Sequence, residues 1–253
     1  MKKNLFKEKL GRGEVTTGVV VVEPGIQTVE ILGLLGFDWL FIDCEHSVMS
    51  LESVSQIVLA AERREVTPVV RVPQNVAEVI LRYMDMGVMG VIIPEVSSPE
   101  DAERAVHAVK YPPDGERGLA GVRAADYGLR GPLGEYTKTA NLETMVLADI
   151  EDPRGVDKAG EILAVRGIDG AIFGANDLSK SLGVAGETSH PLVLAAADKV
   201  LAAGIRTGKP IGAIVRGSET PRQYMEKGYR MVVASVPGLL VSAGKQFLAG
   251  VRG

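Results

Sequence analysis

The residues able to do chemistry gather at the ends of short apolar runs. Trp39–Cys44 carries Asp43 and leads into Glu45-His46, and Pro68–Val72 contains Arg71. Gly90–Val96 carries Glu95, Met145–Ile150 leads through Asp149 to Glu151-Asp152, and Gly170–Gly174 leads to Asn176-Asp177. Glu151 and Asp177 are the candidate metal ligands. Two carboxylates on neighbouring run ends, completed by water and substrate oxygens, suit a hard divalent cation such as Mg²⁺ or Mn²⁺. Either acid could instead cap the helix that follows it. His46 is a candidate general acid or base, directly or through a water, because an imidazole titrates near neutral pH. Arg71 stands in Pro-Val-Val-Arg-Val-Pro. A guanidinium buried there must meet acids or an anion, so its partner is either Asp43 or Glu45, or a substrate carboxylate or enolate. His107, within a helix, and His190, before Pro191, read as structural. Cys44 reads as packing, pointing the same way as His46 but deeper.

The elements that must position these groups form a regular series. Eight β-branched runs alternate with amphipathic stretches: Thr17–Val22, Trp39–Cys44, Pro68–Val72, Gly90–Val96, Met145–Ile150, Gly170–Gly174, Pro210–Val215 and Arg230–Val236. They are continuously apolar, as expected of strands buried on both faces. Asn75 with Glu78 has capping-box spacing, Ser98-Pro99-Glu100-Asp101 and Asp152-Pro153 open helices, and Gly87, Gly167 and Gly228 fall where helices must stop. Eight βα units predict a single-domain (β/α)8 TIM barrel over residues 1–253, with a doubly wound open sheet as the alternative. No dinucleotide or phosphate-loop signature follows a strand. Lys110–Glu143 is the one long irregular segment. In such a barrel the reactive groups collect at the carboxyl ends of strands, where these acids, the histidine and the arginine fall. The last two runs end in Val215-Arg216 and Ser235-Val236, which say less.

The bulk properties exclude other classes. The chain has 253 residues, 46% hydrophobic and 24% charged, with a net charge of −4. Its cations are dispersed, so neither a nucleic-acid groove nor a membrane-binding face is expected. One cysteine excludes an internal disulfide and a multi-cysteine zinc site. With no signal-like or spanning segment, a cytoplasmic protein is expected. The basic opening stretch, Lys2 to Arg12, reads as a solvated helix.

The segment from Gly36 through Trp39 to Asp43-Cys44-Glu45-His46 resembles the signature of the HpcH/HpaI class II pyruvate aldolases. Pro68-Val69-Val70-Arg71, Tyr111-Pro112-Pro113 with Gly115 and Arg117-Gly118, Gly167-Ile168-Asp169-Gly170, and Asp177-Leu178-Ser179 with Leu182-Gly183 are similar too, in family order. The resemblance implies a (β/α)8 barrel that reversibly cleaves 4-hydroxy-2-oxo acids to pyruvate and an aldehyde through a metal-stabilised enolate. It implies a divalent metal (Mg²⁺, Mn²⁺ or Co²⁺) on Glu151 and Asp177, His46 as the acid–base group and Arg71 as the transition-state stabiliser. Asp85 falls where the family raises the basicity of that histidine, and Asp149 and Asn176 fall at substrate-contacting positions, with Arg71 and Asp177 beside them. Two departures bear on the substrate: Asp149 replaces the usual glutamine, and Ala175-Asn176 replaces the usual Pro-Ala. Family members resembling this chain form homo-oligomers, often hexamers, so Asp85 or Arg123 could reach the site from a neighbour. No lysine ends a strand within the signature, which disfavours a Schiff-base aldolase. A CoA-ester lyase of the malyl- or citryl-CoA type, or a non-catalytic metabolite-binding barrel, are the alternatives.

Overall fold

A computed structural model describes residues 1–215 and 220–252; Arg216 lies outside them. The strands are β1 (Thr16–Val21), β2 (Trp39–Asp43), β3 (Thr67–Arg71), β4 (Gly90–Ile93), β5 (Met145–Ile150), β6 (Gly170–Phe173), β7 (Ile211–Ile214) and β8 (Met231–Ser235). The helices are α1 (Leu5–Gly11), α2 (Ile26–Leu34), α3 (Leu51–Arg63), α4 (Ala77–Asp85), α5 (Pro99–Val109), α6 (Leu133–Glu143), α7 (Pro153–Asp157), α8 (Ala159–Ala164), α9 (Ala175–Ser181), α10 (Pro191–Thr207), α11 (Pro221–Lys227) and α12 (Val236–Arg252). Every strand pairs in parallel with the next, and β8 returns to β1, closing the eight-stranded barrel in one domain. All eight expected runs are strands. The fourth stops at Ile93 rather than Val96, because Pro94 has no N–H to donate and Glu95 turns into the left-handed region at φ 53°.

Side-chain alternation sorts the strand residues into two packed regions. Outward residues such as Val19, Leu40, Ile42, Val70, Val91 and Val146 pack beneath the helices. Inward residues Val20, Trp39, Phe41, Val69, Ile92, Met145, Leu147, Ile172, Met231 and Val233 fill the barrel axis. Gly18 makes room for the indole: a Cβ there would lie 2.4 Å from Trp39 Cε2. The opening helix is not simply solvated. Phe6 is fully buried and stacks on Trp39 with ring centroids 4.7 Å apart, so α1 closes the amino-terminal end of the barrel. A lone aromatic among charges gives no periodic signal of such a plug.

Ser98 and Asp152 cap α5 and α7 as expected, accepting the N–H groups of Asp101 and Gly155. Asn75 does not cap α4. Val76 is the N-cap, without a side-chain bond, and the Asn75 amide instead donates to the Asp101 carbonyl at 2.9 Å. The 110–143 segment is also less irregular than expected. It contains a 3₁₀ turn at Arg123–Gly128 and all of α6, packed on a small core of Tyr111, Ala125, Tyr136 and Ala140. Among the described residues, no helix is long and apolar enough to cross a membrane.

Candidate active site

One step above the apolar fill, the inward positions become charged. Register sets Asp43 beside Arg71 across β2 and β3. Asp43 accepts from Arg71 Nε at 3.1 Å and from Nη2 at 2.7 Å, and also takes the backbone N–H groups of Glu45 and His46. Burial alone would raise this carboxyl, but the guanidinium and the two N–H groups hold it below the ordinary carboxylate range. Arg71 Nη1 donates to Asp149 at 3.2 Å, Nε lies 3.2 Å from a Glu45 oxygen, and the guanidinium sits 5.4 Å above the Phe41 ring, where fill and site meet. Burial opposes its charge, and these carboxylates more than restore it, raising its pKa.

Asp43 therefore both pairs Arg71 and folds the turn that carries Glu45 and His46. The His46 side chain is 60% exposed, with Nε2 3.8 Å from Asp177 and 3.9 Å from Glu45. Alternation along β2, with Trp39, Phe41 and Asp43 inward, turns Cys44 outward; it packs in the outer layer beside Tyr83, and burial pushes its thiol up to about 12. The turn after Asp43 then breaks the alternation, so His46 reaches the cleft although Cys44, two residues before it, faces outward. The structural role of Cys44 stands, but its direction differs from the expectation.

The opposite wall comes from β5 and β6. Asp152 takes the capping role on α7 and Gly174 is the N-cap of α9, so neither Glu151 nor Asp177 is consumed as a cap. Glu151 accepts the Glu95 N–H at 2.8 Å, from a residue held at positive φ. A Cβ on Gly174 would lie 2.9 Å from Glu151 Oε2 and 3.0 Å from Asp149 Oδ1. Only glycine lets both carboxylates close on that point. Burial, then the neighbouring Asp149, raises Glu151; burial likewise raises Asp149, which Arg71 only partly offsets.

Glu45, His46, Glu151 and Asp177 line one cleft of about 870 Å³, with Asp149 buried beneath it. Asp149 Oδ1 and Glu45 Oε2 are buried without a hydrogen-bond partner. Glu45 Oε2 is nonetheless in ion-pair contact with Arg71 Nε at 3.2 Å, so several carboxylates surround a single guanidinium and Asp149 Oδ1 is left unsatisfied. This hard, oxygen-rich donor set fits a divalent cation. Among the described residues, no three His, Cys, Asp or Glu side chains form a ready-made metal cage. Glu151 and Asp177 could still hold an ion such as Mg²⁺, which commonly keeps several waters and only one or two protein carboxylates. Asn176 is exposed at the start of α9, its carbonyl accepting from Ser179.

Other candidates lie elsewhere. Asp85 ends α4 at the opposite end of the barrel and pairs with Arg117 at 2.8 Å, so the protomer does not bring it to His46. Arg123 is held within its own protomer by both oxygens of Glu62 and by the Met86 carbonyl. His107 is exposed, and His190 accepts the Leu192 N–H to cap α10. Sequence reasoning did not reach the Glu95 N–H or the Gly174 cradle. The only signal for the latter was a glycine at a strand end.

The HpcH/HpaI aldolase/citrate lyase family model matches residues 25–243. The hydroxypyruvate/pyruvate aldolase of Roseobacter denitrificans is 34% identical over 97% of this chain and 96% of its own. The 5-keto-4-deoxy-D-glucarate aldolase of Escherichia coli O6:H1 is 35% identical over 95% of this chain and 93% of its own. A crystal structure of an HpcH/HpaI aldolase/citrate lyase family protein from Burkholderia cenocepacia J2315 superimposes with a TM-score of 0.93 at 35% identity, over 99% of this chain and 100% of that one. With the barrel and its charged rim as described, the chain belongs to the HpcH/HpaI aldolase/citrate lyase family of lyases.

Proposed function

We propose that this chain is a divalent-metal-dependent aldolase that reversibly cleaves a 4-hydroxy-2-oxo acid into pyruvate and an aldehyde. The observation that carries this reading is the single cleft lined by Glu151, Asp177 and His46 beside the partly buried Arg71, with an unsatisfied carboxylate oxygen of Asp149 beneath it. Glu151 and Asp177 would hold the metal, which when bound supplies Lewis-acid polarisation of a keto oxygen. Backbone N–H groups at the start of α9, near Asn176 and Asp177, suit the substrate carboxylate. His46, acting through a water, takes the proton of the C4 hydroxyl. The C3–C4 bond then breaks, its electron pair passes into the pyruvate enolate, and the aldehyde leaves. Arg71 offsets the charge growing on the enolate oxygen, and the proton relayed through His46 returns to C3 to give pyruvate. If Asp85 tunes His46, it must come from a second copy of the chain, which makes a homo-oligomer part of this reading.

The family description also covers citrate lyases, so a thioester lyase is the second reading. Both related enzymes quoted above are named as aldolases, which favours pyruvate. The test is a pyruvate-release screen over 4-hydroxy-2-oxo acids with Mg²⁺, Mn²⁺ or Co²⁺ against chelated protein. Pyruvate release with metal and none with chelator is expected. Activity that survives full chelation overturns the metal role, and acetyl-CoA release from malyl-CoA without pyruvate release overturns the substrate class.

A further inference from the structure

Four non-glycine residues among those described take a positive φ: Glu65, Glu95, Asp126 and Tyr127. Of these, Glu95 alone lines the cleft that holds Glu151 and Asp177. Its φ of 53° is uncommon for a glutamate and costs free energy, so it persists only where the surroundings impose it. Here both flanks do. Pro94 and Val96 are buried. The Val96 N–H donates to the Asp149 carbonyl at 3.3 Å, and the Val96 carbonyl lies against α7, where a Cβ on Gly155 would stand 2.7 Å from it. One residue on, the Ser97 N–H donates to Asp101 at 3.1 Å and its hydroxyl donates to Asp152, the cap of α7, at 2.5 Å. The chain beside Glu95 is therefore fixed by its neighbours, while the Glu95 side chain itself is exposed.

What this backbone delivers is one N–H. Glu95 donates it to Glu151 Oε1 at 2.8 Å. The other oxygen, Oε2, borders Gly174, whose missing Cβ would lie 2.9 Å from it. The two oxygens of Glu151 thus have different surroundings. One is tied to a main-chain donor, and the other adjoins the glycine that precedes Asp177 by three residues. With both flanks fixed, returning φ to a negative value would turn the 94–95 peptide plane, and its N–H, away from Glu151.

We infer that Glu95 is a positioning residue for the metal site: its left-handed backbone aims the N–H that holds Glu151 Oε1, which leaves Oε2 to the divalent cation. The inference rests on the proposed metal role of Glu151 and Asp177, and it names the residue that prepares one of them. A carboxylate already held by an outer donor needs no reorientation when the cation arrives. Losing such a donor typically weakens metal affinity by roughly 10–100-fold.

The test is calorimetric titration of chelator-stripped protein with Mn²⁺, which reads the site without turnover. Replacing the Pro94–Glu95 amide by an ester, through incorporation of the α-hydroxy analogue of glutamate, removes the N–H and keeps the side chain. It should raise the Kd by roughly 10–100-fold. Glu95→Pro, which lacks the N–H and fixes φ near about −65°, should weaken binding at least as much; the ester protein decides the question if this variant does not fold. Glu95→Gly reaches the same φ freely and keeps the N–H, so it should retain wild-type affinity. Glu95→Gln should retain it too, because the side-chain charge plays no part. Wild-type affinity in the ester protein overturns this inference alone. Weakened binding in Glu95→Gly or Glu95→Gln also overturns it, by moving the role from the backbone to the side chain. No Mn²⁺ binding by the wild type overturns the metal reading, and this inference with it.

Discussion

The barrel interior holds two regions made by the same strands. In the lower one, Trp39, Phe41, Val69, Met145 and Leu147 pack around Phe6 by apolar contact, the buried Trp39 indole N–H being the one polar side-chain group among them. Two residues farther along each strand, Asp43, Arg71 and Asp149 face the same axis, and none of them is satisfied by contact. Below, stability comes from area removed from water. Above, charges have been desolvated, and their mutual pairing stops short of completion, with Asp149 Oδ1 left over. The contrast shows how one fold supplies both rigidity and reactivity: the lower layer fixes the strands, and the upper layer carries an electrostatic demand for a cation and an anionic substrate.

Breaking the upper layer at its centre should have the largest effect. Arg71→Ala should lower pyruvate release by roughly 10²–10³-fold, about 2.7–4 kcal/mol, as expected for losing a donor to a developing oxyanion. It should also destabilise the fold, because Asp43 and Asp149 lose their shared partner. Steady-state kinetics and denaturant unfolding separate the two losses; a variant with near-normal turnover would mean that the upper layer is only structural. In the lower layer, Phe6→Ala should cost about 3–5 kcal/mol in unfolding free energy, with no matching loss of turnover in the folded fraction. A collapse of turnover without a loss of stability would erase the distinction between the regions.

A smaller, pH-dependent effect sharpens the comparison. Burial raises the Asp149 carboxyl above its unfolded value, so between about pH 4 and neutrality the folded chelated protein binds more protons than the unfolded one. Its stability should therefore fall as pH rises through that window. Asp149→Asn removes one such carboxyl and should make the fall shallower, as followed by denaturant midpoints at successive pH values. A slope unchanged in the variant would mean that Asp149 bears no uncompensated charge.

Much of the scaffold was legible because strands buried on both faces leave continuous apolar runs, and all eight appear where those runs lie. Ser98 and Asp152 were legible as caps because each needs only a proline next to it and the N–H two or three residues on. Asn75 has capping-box spacing with Glu78 but no proline after it, and its amide donates to the Asp101 carbonyl on another element while Val76 becomes the N-cap. Phe6 gave no warning, since its role exists only once Trp39 stands across the axis. The meeting of His46, Glu151 and Asp177 on one cleft followed from strand ends converging at one rim. What sequence could not supply was the turn that Asp43 organises, which brings His46 to the cleft while Cys44 faces outward, and the identity of the oxygen left without a partner, which depends on the closeness of Gly174. For Asp85 the limit is different: the family resemblance implies a role beside the histidine, while its own protomer holds it against Arg117 at the far end of the barrel.

The central claim is that Glu151 and Asp177 together hold one divalent cation in this cleft. Electron paramagnetic resonance titration of chelator-stripped protein with Mn²⁺ tests it without reference to turnover. The wild type should bind a single Mn²⁺ per protomer, and Glu151→Gln and Asp177→Asn should each weaken binding by more than the roughly 10–100-fold typical of losing an outer-shell partner. Wild-type affinity retained in both variants would contradict the account.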